Sequence, residues 1–265
     1  MSLFVEETGT PGAPSIVFLH GIGASGWMWW QQMVAFRDFH CLTVDLPGHG
    51  KSSHIPWVSL TETAHQVAVL IQTRATHGQA HVVGLSLGGH VALVLLEHYA
   101  HLLNRVVISG VTAAPMPNRW LLSPQMWLTS LIMRRRGFMN RQAKALNLPP
   151  EQQKAFTENF LAMSMQTYRR IWEEVADLQI PSVLQEVITP TLITAGGNES
   201  KIILDAVDVI AKLMPNAQGR IAPGLGHGWN VESPDLFNAM IRAWICDKPL
   251  PVGLKSPVSQ VTLRI

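Results

Sequence analysis

Short runs rich in β-branched and aliphatic residues alternate along this chain with longer stretches whose apolar residues recur at helical spacing. The runs are "SIVFLHG", "CLTVDL", "AHVVGLS", "NRVVISG", "PTLITAGG" and "QGRIAPG". Their alternation predicts an α/β fold with a mostly parallel sheet, because parallel neighbours need a crossover long enough to return across the sheet. Ser59 and Glu62 form a capping box, which predicts a helix running to about Thr76. Between Val111 and about Glu186 the strand-like runs stop. Segments such as "WLLSPQMWLTSLIMRRRGFMNRQAKAL" and "AFTENFLAMSMQTYRRIWEEVADL" are helical in pattern, and the proline-containing "AAPMPNRW" and "VITPTL" bound them. They predict a helical cap over 112–186, inserted into a core made of 1–111 and 187–265. The tail after Lys248 is proline-rich at first and reads as an extra strand or a packed extension.

Composition narrows the classes. With 265 residues and 47% hydrophobic content the chain can bury the core of one α/β domain plus an insertion. A net charge of +2 and a charged fraction of 14% make no case for nucleic acid, and the run Arg134 to Arg136 reads as a solvated helix end. Cys41 and Cys246 lie far apart without zinc-ligand spacing, so neither a disulfide framework nor a metal site is expected. No basic segment precedes a long apolar core at the N-terminus, and no apolar stretch reaches ~18 residues. The expectation is a cytoplasmic monomer or homodimer with no membrane partner.

The chemistry centres on "GLSLG", Gly84 to Gly88, a G-x-S-x-G motif between a predicted strand and a predicted helix. A sharp strand-to-helix turn strains the serine backbone and needs small neighbours, which Gly84, Gly88 and Gly89 supply. The turn lifts Ser86 above the strand ends and leaves the Leu87 amide at a helix N-terminus, where it can donate to a developing oxyanion. A serine hydroxyl needs a base. His227 lies in the glycine-rich "GLGHG" after a strand-like run, whereas His65, His77, His90, His98 and His101 lie within or beside helices and read as surface or packing residues. The imidazole needs a carboxylate to orient it. Glu199, at the end of the run "TLITAGG", is the first choice and Asp205 the alternative. The turn after "FLHG" offers the Ile22 amide as a second oxyanion donor, with His20 holding the loop. "PGHGKSS" imitates a phosphate-binding loop, but the first glycine of that motif would fall on Asp45, so a structured loop is expected instead.

With "HGIG" at 20–23, "DLPGHGKS" at 45–52, "GLSLGG" at 84–89 and "GLGHGWNVESPDLF" at 224–237, the chain resembles the α/β-hydrolase superfamily, in its cap-bearing serine esterase-like branch. The resemblance implies an eight-stranded, mostly parallel sheet flanked by helices, with the insertion capping the serine. Many relatives carry aspartate where Glu199 stands; glutamate is also accepted in the family's triad. Ser86 argues against the haloalkane and epoxide chemistry of relatives with an aspartate nucleophile.

The expected reaction is hydrolysis of carboxylic esters of small to medium apolar substrates through an acyl-enzyme, with no cofactor and no metal. Trp120, Met126, Trp127, Met163 and Trp229 are candidate pocket residues. Alternatives on the same site are a lactonase, a C–C bond hydrolase, a perhydrolase or acyltransferase, a lyase, or a receptor without turnover. A charged cap residue poised to hold a substrate carboxylate would separate these activities, and Arg119, Arg169 and Arg170 are the candidates.

Overall fold

The computed structural model describes residues 2–115, 135–145 and 148–257. Among these, seven strands form one sheet: β1 (Val5–Gly9), β2 (Ser15–Leu19), β3 (His40–Val44), β4 (Ala80–Leu85), β5 (Leu103–Ser109), β6 (Thr191–Gly196) and β7 (Ala217–Ala222). Their order is β1-β3-β2-β4-β5-β6-β7, parallel throughout except that β1 runs antiparallel to β3. The resemblance implied eight strands, a number that came from relatives and not from any further run in this sequence. The strand that sequence patterning misses is β1, "VEETG", a largely polar edge strand with little apolar alternation.

Helices cover both faces: α1 (Trp30–Ala35), α2 (Leu60–Arg74), α3 (Leu87–Tyr99), α4 (Arg136–Ala145), α5 (Pro150–Ala162), α6 (Met165–Asp177), α7 (Lys201–Leu213), α8 (Trp229–Glu232) and α9 (Pro234–Ile245). Side chains alternate along each strand and divide the core in two. Val17, Leu19, Leu42, Val82 and Ile108 pack with α2, α3 and α7, while Ile16, Phe18, Cys41, Val83 and Leu85 pack with Trp29 and α9. The Ser59 hydroxyl caps α2 by accepting from the Glu62 amide at 3.0 Å. The helix stops at Arg74, before the expected Thr76, because the Thr76 amide donates to Ser15 Oγ (2.8 Å) and its hydroxyl to the Ala13 carbonyl (2.7 Å).

Helices α4, α5 and α6 lie between β5 and β6, inside the span expected for an insertion. Ile171 and Val175 of α6 are buried in the core cluster shared with α2 and α3, and further contacts are more local. Phe160 of α5 stands on Gly23, Asn159 Nδ2 donates to Ser25 Oγ at 3.0 Å, and Thr167 of α6 rests against Gly48. Glu174 of α6 reaches the start of α2, where one carboxylate oxygen accepts from the Leu60 amide (2.6 Å) and the other from Trp57 Nε1 (3.1 Å). An acidic group there compensates free amides at the positive end of the helix dipole. Burial pushes its carboxyl above the usual range, against those two hydrogen bonds. At the far edge of the sheet Lys255 forms an isolated antiparallel bridge with Ile221 of β7, and the rest of the tail, 258–265, lies outside the described residues.

Candidate active site

Ser86 sits between β4 and α3 with φ +57° and ψ −114°, a conformation that costs a non-glycine residue ~1–3 kcal/mol. The surroundings hold it there. Its amide donates to the Ser109 carbonyl of β5 (2.8 Å), its carbonyl accepts from the His90 amide (3.0 Å), and the Gly88 amide donates to the His20 carbonyl (3.0 Å). A side chain on Gly88 would overlap the Leu19 carbonyl and one on Gly84 the Gly88 carbonyl, so strand and helix can approach only with glycine at both positions. His90 adds a contact that its helical position conceals in the sequence. Thr112 N donates to Nε2 at 3.3 Å, which leaves Nδ1 to donate to the Ser86 carbonyl at 2.9 Å. Burial lowers its pKa to about 4, so the ring is neutral near pH 7.

Glu199 follows β6 and is almost completely buried, with 2% of its side chain exposed, whereas His227 is 46% exposed. The two side chains meet at 2.5 Å between Oε2 and Nδ1, and the other carboxylate oxygen accepts from the Gly196 amide at 3.1 Å. Asp205, the alternative acid, instead pairs with Lys201 at 2.7 Å, one helical turn away on α7. With Nδ1 engaged, Nε2 is the nitrogen left for proton transfer. The imidazole lies on Gly110, the residue after β5: a Cβ there would fall 2.7 Å from Cε1 and 2.9 Å from Nδ1. Ser86 Oγ and His227 Nε2 share no hydrogen bond here; in catalytic sites such contacts are often long until substrate binds. The loop that carries His227 is tied down from one side by Glu232, whose carboxylate accepts from the Gly226 amide at 2.8 Å.

The turn after β2 closes on the elbow, since a Cβ at Gly21 would lie 3.4 Å from Ser86 Cβ. Among the described residues the Ile22 and Leu87 amides have no protein acceptor, which leaves both available to an oxyanion. His20 holds this turn as expected: Nε2 accepts from the Leu46 amide (3.0 Å) and Nδ1 donates to the Gly21 carbonyl (2.8 Å). Burial lowers its pKa to about 4. In the phosphate-loop imitation the Asp45 carboxylate takes the Gly26 and Lys51 amides, each at 2.7 Å, so this turn is organised around an anion of its own.

The candidate pocket residues separate into three groups. Met163 joins Met139, Phe160 and Tyr168 in a buried cluster against which Ile22 packs. Trp229 does not face that cluster. It is fully buried on the α9 side of the sheet, edge-on to Phe237 at 4.6 Å, with its indole N–H donated to Ser109 Oγ at 2.9 Å; a large ring two residues past the base is drawn into the core, not to the pocket wall. Trp120, Met126 and Trp127, together with Arg119, lie outside the described residues. Arg169 and Arg170 are exposed, and Arg170 lines a surface groove shared with Leu60, Glu97 and Glu173.

A family model described as "Alpha/beta hydrolase family" matches residues 16–240. The chain belongs to this family. An AB hydrolase superfamily protein of Gibberella zeae is 28% identical over 92% of this hydrolase and 84% of the relative. A 2-hydroxy-6-oxononadienedioate/2-hydroxy-6-oxononatrienedioate hydrolase of Burkholderia vietnamiensis is 26% identical, covering 91% of this chain and 89% of its own. In fold, the hydrolase is similar to a thermophilic esterase from Thermogutta terrifontis, with a TM-score of 0.75 and 22% identity over 92% of this chain and 93% of that one. Family and relatives together support a hydrolytic enzyme. Among the described residues of this hydrolase, no helix is long and apolar enough to cross a membrane.

Proposed function

We propose that this hydrolase is a carboxylesterase with Ser86 as nucleophile, His227 as base and Glu199 as the acid that orients it. The observation that carries this reading is the buried Glu199 carboxylate bonded to His227 Nδ1, on the same sheet edge as the strained Ser86 turn. His227 Nε2 takes the Ser86 proton as Oγ attacks the acyl carbon. The Ile22 and Leu87 amides receive the oxyanion, each donor contributing ~3–4 kcal/mol to the transition state. The imidazolium then protonates the departing alcohol, leaving an acyl-enzyme. Water attacks the acyl carbon as His227 takes its proton, and the acid is released when that proton returns to Ser86.

The insertion acts as the cap. Its cluster of Met139, Phe160, Met163 and Tyr168 borders Ile22, so an apolar acyl or alcohol group would enter beside the oxyanion turn. The Burkholderia relative is named for a dioate, and recognition of a second carboxylate calls for a cationic partner. Arg169 and Arg170, the described candidates for such a partner, are exposed, and Arg119, the third, lies outside the described residues.

The test is hydrolysis of p-nitrophenyl esters from acetate to decanoate by the parent protein and by Ser86→Ala. Saturable turnover that disappears in the variant is expected. Turnover that survives in a folded Ser86→Ala protein, or absence of turnover of every ester by the parent, would overturn the reading.

A further inference from the structure

Ser109, the last residue of β5, touches both halves of the proposed machinery. Its carbonyl accepts the Ser86 amide at 2.8 Å, and its hydroxyl accepts the Trp229 indole N–H at 2.9 Å. Trp229 is only two residues beyond His227 and opens α8, the same short helix whose Glu232 grips the Gly226 amide. The base loop is therefore held on both sides of a half-exposed imidazole, and one of the two grips ends on the residue that fixes the nucleophile's backbone. The next residue, Gly110, carries the His227 ring against its Cα and donates its amide to the Thr194 carbonyl of β6 at 3.0 Å, which links the same strand end to the strand preceding Glu199.

Any residue at this place would offer the main-chain carbonyl, but a filler residue would offer no hydroxyl to the indole. Both Ser109 and Trp229 are fully buried, and the indole is already packed edge-on against Phe237 in the apolar cluster on that face. The hydroxyl at 109 gives that ring a fixed azimuth, and through it sets where the loop leaves the core. A displacement of about 1 Å between reacting groups is enough to cost roughly 100-fold in rate.

We propose that Ser109 is a positioning residue, setting the separation of Ser86 and His227 by bonding the nucleophile turn through its carbonyl and the base loop, via Trp229, through its hydroxyl. This rests on the reading of Ser86 as nucleophile and His227 as base.

The experiment measures phosphonylation of Ser86 by a fluorophosphonate, a reagent that needs an activated serine but not the natural substrate, in the parent, Ser109→Ala, Trp229→Phe and the double variant. Maximal rate and half-saturating reagent concentration are determined separately, and labelled Ser86 is identified by mass spectrometry. Each single variant is expected to lose roughly 10- to 100-fold in maximal rate with half-saturation within about twofold of the parent. The double variant should lose little more than the worse single one, because both substitutions break the same bond. Parental rates in the folded single variants, losses that multiply in the double variant, or losses confined to half-saturation would each overturn the proposal. Trp229→Phe, which keeps an aromatic ring on Phe237, carries the test should Ser109→Ala fail to fold. A parent that is not labelled at Ser86 would instead overturn the assignment of the nucleophile itself.

Discussion

Around Ser86 the chain is fixed largely by main-chain hydrogen bonds to neighbouring strands, whereas the described part of the insertion rests on the core through side chains: Phe160 on Gly23, Asn159 on Ser25, Thr167 on Gly48, Glu174 on Trp57 and Leu60, and Ile171 and Val175 in the cluster shared with α2 and α3. The two regions meet at Ile22, whose amide belongs to the proposed oxyanion turn and whose side chain packs against the apolar cluster of α4, α5 and α6. Main-chain bonds to a sheet cannot shift without breaking the strand register. A cluster built from two methionines, a phenylalanine and a tyrosine can repack around different shapes. On the proposed function, this division would place the invariable part of the chemistry on the stiff element and the choice of substrate on the adaptable one.

The sharpest break on the rigid side is Glu199→Gln. Loss of the charge opposite the imidazolium, with an amide that can present its N–H to Nδ1, should lower kcat by about 10⁴-fold with KM little changed, measured on the best p-nitrophenyl ester. Asp205→Asn should stay within about twofold, since Asp205 pairs with Lys201 and not with His227. A reversed result would move the acid to α7.

Acid should strike the same region next. His20, His81 and His90 are held down to about 4 and His49 to about 3 by burial, and all four lie in the core outside α4, α5 and α6. Below pH 6.5 the unfolded chain protonates these rings while the folded chain does not. Their contribution is complete above pH 6.5 and is lost as pH falls toward 4, with the folding constant dropping up to about tenfold per ring for each pH unit. Urea midpoints at pH 7, 6 and 5 should therefore fall steeply; a flat series would mean the rings are charged in the fold.

The smallest effect belongs to the adaptable side. Phe160→Ala removes the ring standing on Gly23 and opens space beside Ile22. The preferred acyl length should shift upward, with kcat/KM ratios between long and short esters changing about tenfold, while the reaction with acetate changes less. Equal losses across the ester series would show that the ring supports the oxyanion turn and not selectivity.

Much of the rigid region was legible in the sequence because its constraints are local. Gly84 and Gly88 flank a strained serine, Ser59 is spaced to cap the Glu62 amide, and Asp45 interrupts a phosphate-loop pattern; each is readable within a few residues. Glu199 could be preferred over Asp205 by its place at a strand end, but only the fold brings it to His227. What stayed hidden depends on which way a side chain turns. Trp229 reads in the sequence as a pocket candidate but is buried against Phe237 on the α9 side of the sheet, and His90, one of several helix-borne histidines, is bonded to the Ser86 carbonyl. The edge strand β1 escaped because its pairing comes from the register with β3 and not from its own apolar pattern.

The insertion leaves from the end of β5 and returns to the start of β6, and these strands are hydrogen-bonded neighbours, with Val106 opposite Thr191. Because the two strands are parallel, everything between them departs at the edge that carries Ser86 and returns at the opposite edge of the sheet, one strand over, about 4.8 Å to the side. Helices of another length or number could be grafted into that slot without moving a single strand. The scaffold is thus a socket with an exchangeable fitting, and among the described residues a chimaera carrying a relative's insertion would need to be matched at Gly23, Ser25, Gly48, Trp57 and Leu60 and in the core cluster that Ile171 and Val175 enter.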